Sequence, residues 1–333
     1  MIIGVAGTSH IVDAFLQAAQ SVSGVDVKAL FSRDPQGVRA QQIKCDYNIA
    51  RLYSSLDDLC SDQDIDMIYI TSPNGLHYDY AMKAIRAGKN VIVEKPFTST
   101  GMEAADLLRT AKKERRMLFE GISNIHLPNY KRIGILLHEI GNVRLVLLNY
   151  SQYSRRYMQF ISGETPNIFN PIFSGGCLQD INVYNVHFVM RLFGVPDKTK
   201  YFPNIHPNGI DTSGVLILQY PDFVATLVAS KESEGSNMAY IQGDRGFLSV
   251  KNGASGCSEI TITNYSSGNS TTYNEHEGDN RLIYEIRDFQ EIVESHNYES
   301  CYSLAEHSIL VMKTMTSART EAGILFPEDH RIL

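Results

Sequence analysis

Apolar positions along this chain keep two different rhythms. Up to about residue 120, short β-branched runs at 2–5, 25–31, 65–70, 91–94 and 117–119 alternate with amphipathic stretches at 11–21, 76–87 and 100–114. Short, continuously apolar runs suit strands buried on both faces, and helical spacing between them predicts βαβ winding around a parallel sheet. Ala81, Met82 and Ile85 line one face of the middle helix, and Gly88 stands where a left-handed helix end is wanted.

Beyond Gly121 the runs lengthen and the connections shorten. Stretches at 215–220 and 223–230 flank Pro221-Asp222, and others cover 247–250 and 259–264, which predicts hairpins in a mostly antiparallel sheet. Residues 266–270 read as an exposed turn. Two helices finish the chain, one marked by Leu282, Ile286, Phe289 and Val293, the other by Leu304, Val311, Met315 and Ala318. A length of 333 residues exceeds what one core usually organises. The expected fold class is α/β in two domains, residues 1–120 and residues 121–333, with the terminal helices able to pack back on the first.

Composition narrows the partners. Against 37 Asp+Glu stand 30 Lys+Arg, a net charge of -7, with no basic block to neutralise a run of phosphates; nucleic acid is not an expected partner. No apolar run approaches the roughly 18 residues of a membrane span, and the first residues lack a basic leader, so a soluble cytoplasmic protein is expected. The five cysteines, Cys45, Cys60, Cys177, Cys257 and Cys301, contain no C-x-x-C pair. Buried thiols are expected, with no metal site.

Four stretches could carry chemistry. In Gly4-Val5-Ala6-Gly7-Thr8-Ser9-His10-Ile11 an apolar strand runs through small residues into a helix, a turn whose backbone N–H groups can approach a pyrophosphate. Ser9 stands at the second glycine of G-x-G-x-x-G and Val12 at the third, so an ordinary strand-to-helix turn would be spelled the same way. In Ala29-Leu30-Phe31-Ser32-Arg33-Asp34, Ser32 falls where enzymes using NAD place an acid, which leaves Arg33 to pair with a 2′-phosphate. That favours NADP(H) over NAD(H), although Asp34 would restore the acid after a register slip of two residues, and a ligand-free surface pair is the plainer alternative.

In Val91-Ile92-Val93-Glu94-Lys95-Pro96 a buried strand ends in a lysine beyond its carboxyl end, where parallel sheets bind ligands. Lys95 could donate to a substrate oxygen there, or simply be solvated. In Gly175-Gly176-Cys177-Leu178-Gln179-Asp180-Ile181-Asn182-Val183-Tyr184-Asn185-Val186-His187-Phe188, α-helical spacing gathers Asp180, Tyr184, His187 and Arg191 on one polar stripe. The glycine pair would let the helix N-terminus come close to a ligand. Structural hydrogen bonds are the competing role for these side chains.

Together with Thr71-Ser72-Pro73-Asn74-Gly75-Leu76-His77 and the run from Ala87-Gly88-Lys89-Asn90 into Glu94-Lys95-Pro96, these stretches give the whole chain a specific resemblance. It resembles the Gfo/Idh/MocA oxidoreductases. The resemblance implies a Rossmann first domain, a second α/β domain whose open sheet forms a dimer interface, and oxidation or reduction of sugars, polyols or related alcohols with NAD(P). It places the family's Glu-Lys-Pro motif on Glu94, Lys95 and Pro96, and the glycine-rich segment followed by Asp and Tyr on Gly175, Gly176, Asp180 and Tyr184. Tyrosine at that last position is similar to the branch with dihydrodiol and NADP-dependent xylose dehydrogenases. The family tolerates Ser9, whereas His10 stands where relatives often carry Trp. Cofactor contacts are implied for Gly7, Thr8, Ser9, His10, Ile11, Ser32, Arg33, Thr71, Pro73, Asn74, His77, Glu94 and Lys95.

The expected chemistry is reversible hydride transfer between nicotinamide and a secondary alcohol or hemiacetal carbon. Tyr184 or Lys95 would take the hydroxyl proton and Asp180 would orient the substrate or the partner side chain, with His126, Arg155, Arg156 and His187 as further candidate contacts. The rival is a sensor that binds NAD(P) in the same fold without turnover; a third reading keeps tightly held NAD as an internal redox catalyst. Too few helices to cover both faces of the second sheet predict a homodimer, with a tetramer as the larger option.

Overall fold

The computed structural model describes residues 1–333. They form two compact units, the first from Met1–Ile122, Asn280–Met312 and Ile332–Leu333, the second from Ser123–Asp279 and Lys313–Arg331.

The first unit is built on six strands, β1 Ile2–Ala6, β2 Asp26–Phe31, β3 Arg51–Tyr53, β4 Met67–Ile70, β5 Asn90–Glu94 and β6 Leu118–Gly121. They lie in the order β3-β2-β1-β4-β5-β6, every pair parallel. The order reverses at β1, where the crevice beyond the strand ends opens between β1 and β4. Helices α1 Ile11–Gln20, α2 Val38–Asp46, α3 Leu56–Ser61, α4 His77–Arg86 and α5 Gly101–Glu114 make the crossovers. Val12, Phe15, Leu16 and Ala19 turn the apolar face of α1 into a core shared with Ile3, Val5, Tyr69 and Phe119, and with Ile286, Phe289 and Cys301 from the terminal helices. Gly88 closes α4 with a φ of +82°, a conformation glycine takes at no steric cost. Thr100 caps α5 by accepting from the Glu103 N–H at 3.1 Å.

In the second unit, α6 Pro128–Leu136 precedes an eight-stranded sheet whose strands are β7 Val143–Ser151, β8 Lys198–Ile205, β9 Asp211–Gln219, β10 Val224–Ser230, β11 Met238–Gly243, β12 Gly246–Lys251, β13 Glu259–Asn264 and β14 Ser270–Tyr273. The order is β14-β13-β12-β11-β7-β10-β9-β8, and every pair is antiparallel except β7 with β10. Helices α7 Tyr157–Ile161, α8 Val183–Phe193 and α9 Gly253–Gly256 interrupt it, and α10 Leu282–Glu294 and α11 Tyr298–Glu321 follow it. The period of two is clean: Val146, Leu148, Leu216, Leu218, Ala225 and Leu227 are buried on one face, while Leu145, Leu147, Val215, Ile217, Thr226 and Val228 are only half-buried on the other.

Three departures from the sequence reading have physical causes. The stretch from α2 to α3 carried no strong period, and β3 is three residues long. Strands β8 and β11 went unmarked because their outward positions are polar or aromatic. Cys45 is exposed on α2, whereas the other four thiols are buried.

Candidate functional site

The first unit brings the opening loop to the carboxyl ends of β1 and β4. Gly7 donates its N–H to the Phe31 carbonyl at 3.1 Å, Thr71 donates to the Ala6 carbonyl at 3.0 Å, and Gly7 has a φ of +131°. A side chain at Gly7 would meet Thr71, so glycine is required where the two strand ends touch. Thr8 and Ile11 are half-buried, and Ser9 and His10 are exposed ahead of α1, whose first residues offer N–H groups that no side chain caps. Val12 is fully buried in the core. It belongs to the packing beneath the loop, so it leaves the approach to the loop open. This cradle fits a dinucleotide: close backbone, a helix N-terminus and exposed small polar residues.

At the end of β2 the parallel register places the residues of the second stretch. Ala6 on β1 pairs with Phe31, so Ser32 is the first residue past the strand, and its N–H bonds the Tyr53 carbonyl at 3.0 Å. The Ser32 hydroxyl is turned inward to the Asp34 carbonyl at 2.9 Å, while Arg33 and Asp34 stand exposed. A residue that the sequence did not single out joins them. Arg39, on α2, donates to the Thr8 carbonyl at 3.3 Å and the Ser9 carbonyl at 3.5 Å, and pairs with Asp13. No local motif marks it, because its position depends on the turn from Pro35 to Gly37.

The loops after β4 and β5 are tied by His77. This side chain was expected to touch the cofactor; it is instead 1% exposed, with Nδ1 2.9 Å from the Pro96 carbonyl oxygen and Nε2 2.9 Å from that of Ser72. Burial holds the imidazole below its usual pKa, with the two carbonyls opposing. His77 thus fixes the loop of half-buried Pro73 and Asn74 to the cis Lys95-Pro96 bond. Glu94 also departs from the expected contact. Its carboxyl is buried under the end of β5, where it accepts from the Tyr69 hydroxyl, and burial pushes its pKa up to about 7. Glu120 and Glu285 lie nearby. Lys95, the next residue, is half-buried.

In the second unit the predicted helix from the glycine pair is not uniform. Leu178–Asn182 form one π-helical turn that runs into α8. Its wider i→i+5 closure breaks the α spacing on which a single polar stripe was drawn. Asp180 and Tyr184 remain partly exposed, Arg191 faces solvent, and His187 is fully buried, so it is not an accessible substrate contact. The glycines also serve another purpose than expected. A Cβ on Gly175 would strike Asn170 and Ile168, and one on Gly176 would strike Asp211. Asp211 Oδ2 accepts from the Leu178 N–H at 2.7 Å, so the protein's own carboxylate takes the N-terminal end that a ligand was to meet.

Tyr184 packs edge-on against Tyr150 with centroids 5.8 Å apart, and its carbonyl accepts from Asn124 at 2.8 Å. Asp180 pairs with Lys231, 2.5 Å from its Oδ2, a partner hidden in sequence as one lysine after an alternating apolar strand. His126 is buried at the end of a short 3₁₀ turn. Arg155 and Arg156 are exposed after β7, and Arg156 bonds Gln159 at 3.0 Å within its own helical turn.

Residues 1–122 match the oxidoreductase family with an NAD-binding Rossmann fold, and residues 136–249 match the GFO/IDH/MocA C-terminal domain. Over 323 residues, 97% of this chain and 97% of the relative, the sequence is 33% identical to scyllo-inositol 2-dehydrogenase (NADP(+)) of Bacillus subtilis. The D-xylose 1-dehydrogenase (NADP(+)) of Hypocrea jecorina is 25% identical over 313 residues, 84% of this chain and 78% of that one. The fold matches a 3-ketoreductase from Actinomadura kijaniata, solved in complex with NADP and TDP-benzene, with a TM-score of 0.84 at 21% identity over 96% of this chain and 97% of that chain. With both parts matched and a relative alike along nearly its whole length, the chain belongs to the Gfo/Idh/MocA family of oxidoreductases.

Proposed function

We propose that this protein is an NADP(H)-dependent dehydrogenase that moves a hydride between nicotinamide and a secondary alcohol carbon of a sugar, polyol or related diol. The observation that carries this reading is the cradle around Gly7, bordered by Ser32, Arg33 and Arg39 with no acid at the first position past β2. Two guanidiniums near the loop suit a 2′-phosphate, which an acid would repel. Names of the relatives fit: inositol and xylose dehydrogenases, both with NADP(+).

Bound in that cradle, nicotinamide supplies the hydride acceptor, so the oxidised alcohol loses a hydride from carbon and a proton from oxygen. In this reading the proton is the protein's task. Tyr184 or Lys95 takes it, and Asp180 accepts a hydrogen bond from a neighbouring substrate hydroxyl. His77 would serve by holding the Lys95-Pro96 loop in place.

Two properties accompany the proposal. The half-buried face of the eight-stranded sheet, with Phe202 56% and Tyr240 36% exposed, suits a homodimer through that face, with a tetramer as the larger option. Five free cysteines suit the reducing cytoplasm. No helix is long and apolar enough to cross a membrane. The test is reduction of NADP+ by the purified protein with scyllo-inositol, D-xylose and related polyols. Binding of NADP+ without turnover of any of them would overturn the proposal in favour of a sensor.

A further inference from the structure

Lys231 follows the last residue of β10, and its side chain is 2% exposed. Its ammonium lies 2.5 Å from Asp180 Oδ2, 3.4 Å from the Ile168 carbonyl oxygen and 4.7 Å from the centroid of the Phe169 ring. Asp180, by contrast, is 20% exposed. One end of the pair is sealed inside the unit and the other reaches its surface. A buried ammonium is costly without a carboxylate beside it, and Asp180 is the one Lys231 has.

The backbone around Asp180 is fixed from the same strand. Asn182 donates to the Leu227 carbonyl at 3.4 Å and Asn185 to that of Val228 at 3.2 Å, so β10 seats the π turn and the start of α8. One residue past its end β10 then supplies the cation. The other titratable groups close by are Asp211, Glu232 and Cys177. Asp211 is engaged by the Leu178 N–H and by the Tyr201 hydroxyl at 2.5 Å, and Glu232 by Ser213 at 2.5 Å and Tyr157 at 3.2 Å. Asp180 is the carboxylate that Lys231 meets directly.

We propose that Lys231 is the positioning residue for Asp180: it keeps that carboxylate ionised and aimed, so that Asp180 acts as a hydrogen-bond acceptor for a substrate hydroxyl and never as the proton carrier. The role of Asp180 toward a hydroxyl rests on the dehydrogenase reading above; the coupling between Lys231 and Asp180 does not. It leaves Tyr184 and Lys95 as the proton-handling groups.

The experiment is an infrared pH titration of the full-length protein, with the Asp180 carboxylate band assigned by its loss in Asp180→Asn. In Lys231→Met the Asp180 midpoint should rise by about one pH unit or more, and in Lys231→Arg, which keeps the charge, it should stay near the wild-type value. An unmoved midpoint in Lys231→Met would overturn the proposal whether or not any alcohol is turned over. On an alcohol that is turned over, kcat/KM of Lys231→Met should fall about tenfold or more, with its acid limb moved toward neutral pH. If Lys231→Met does not fold, the double variant Asp180→Asn/Lys231→Met, which buries neither charge, takes its place. It should be no slower than Asp180→Asn alone, because Lys231 acts through Asp180; a double variant clearly slower than Asp180→Asn would sink the idea.

Discussion

A Cβ placed on Gly7 would stand 2.5 Å from the Thr71 hydroxyl oxygen and 3.0 Å from the Thr71 carbonyl oxygen. Two strand ends meet there, β1 and β4, and the loop that follows each borders the proposed cofactor cradle. Gly7→Ala must push Thr71 away and also adopt a φ that costs about 1–3 kcal/mol for a residue with a side chain. We expect a melting temperature several degrees lower and NADPH binding weakened about tenfold or more. A variant with wild-type NADPH affinity would separate this contact from cofactor binding.

Arg33 and Arg39 differ in their attachments. Arg33 is exposed beyond β2, whereas Arg39 is held by the Thr8 and Ser9 carbonyls and by Asp13. Arg33→Ala should therefore lose NADPH affinity by about tenfold, roughly 1.4 kcal/mol, with NADH affinity within about twofold. Arg39→Ala also loosens the loop and should weaken both nucleotides. Paired fluorescence titrations distinguish the two patterns, and equal losses for NADPH and NADH in Arg33→Ala would contradict the 2′-phosphate assignment.

Lys95→Met and Tyr184→Phe each remove a group proposed to handle the hydroxyl proton and should lower kcat by roughly 10²–10⁴-fold. NADPH affinity should change by less than about threefold in either variant, since neither group is asked to bind the phosphates. Steady-state rates with matched titrations check this, and retained turnover in Lys95→Met would remove Lys95 from the chemistry.

Glu94 gives the fold a pH dependence of definite sign. Burial raises its carboxyl from 4.5 to about 7 in the folded protein, with the Tyr69 hydroxyl and Lys95 opposing. Between those values the folded state keeps a proton that the unfolded chain releases, so this contribution is complete below the lower value and lost as pH rises through the upper one. Glu94→Gln should remove it, a gain over wild type of up to about 1.4 kcal/mol for each pH unit crossed. Melting temperatures recorded from about pH 5 to about pH 8 should lie close together at the acid end and separate toward the alkaline end, with the variant the more stable. Parallel curves for the two proteins would contradict the buried-acid assignment.

Much of the fold was legible because the first unit obeys two strong rules: continuous apolar runs for buried parallel strands, and amphipathic crossovers between them. The cradle was legible in outline too, since Gly7, Ser32 and Arg33 lie in consecutive strand ends. Long-range partners were not. Lys231 meets Asp180 from 51 residues away, and Arg39 reaches Thr8 from 31 away, so no local spacing relates them. The π turn escaped because α-helical spacing assumes uniform closure, which misplaces Asp180 relative to α8; His187 lies in the regular part of α8 and is buried by the packing around it. Glu94 and His77 were read as ligands because they sit in motifs, whereas His77 is buried between the Ser72 and Pro96 carbonyls and Glu94 is buried against the Tyr69 hydroxyl.

The most direct test follows NADPH formation optically when NADP+ or NAD+ is offered with scyllo-inositol, D-xylose and a panel of related polyols and diols. We expect turnover with at least one alcohol, faster with NADP+ than with NAD+, and lost in Lys95→Met and Tyr184→Phe. Tight NADPH binding with no turnover of any alcohol would contradict the dehydrogenase assignment and leave a protein that senses the nucleotide without consuming it.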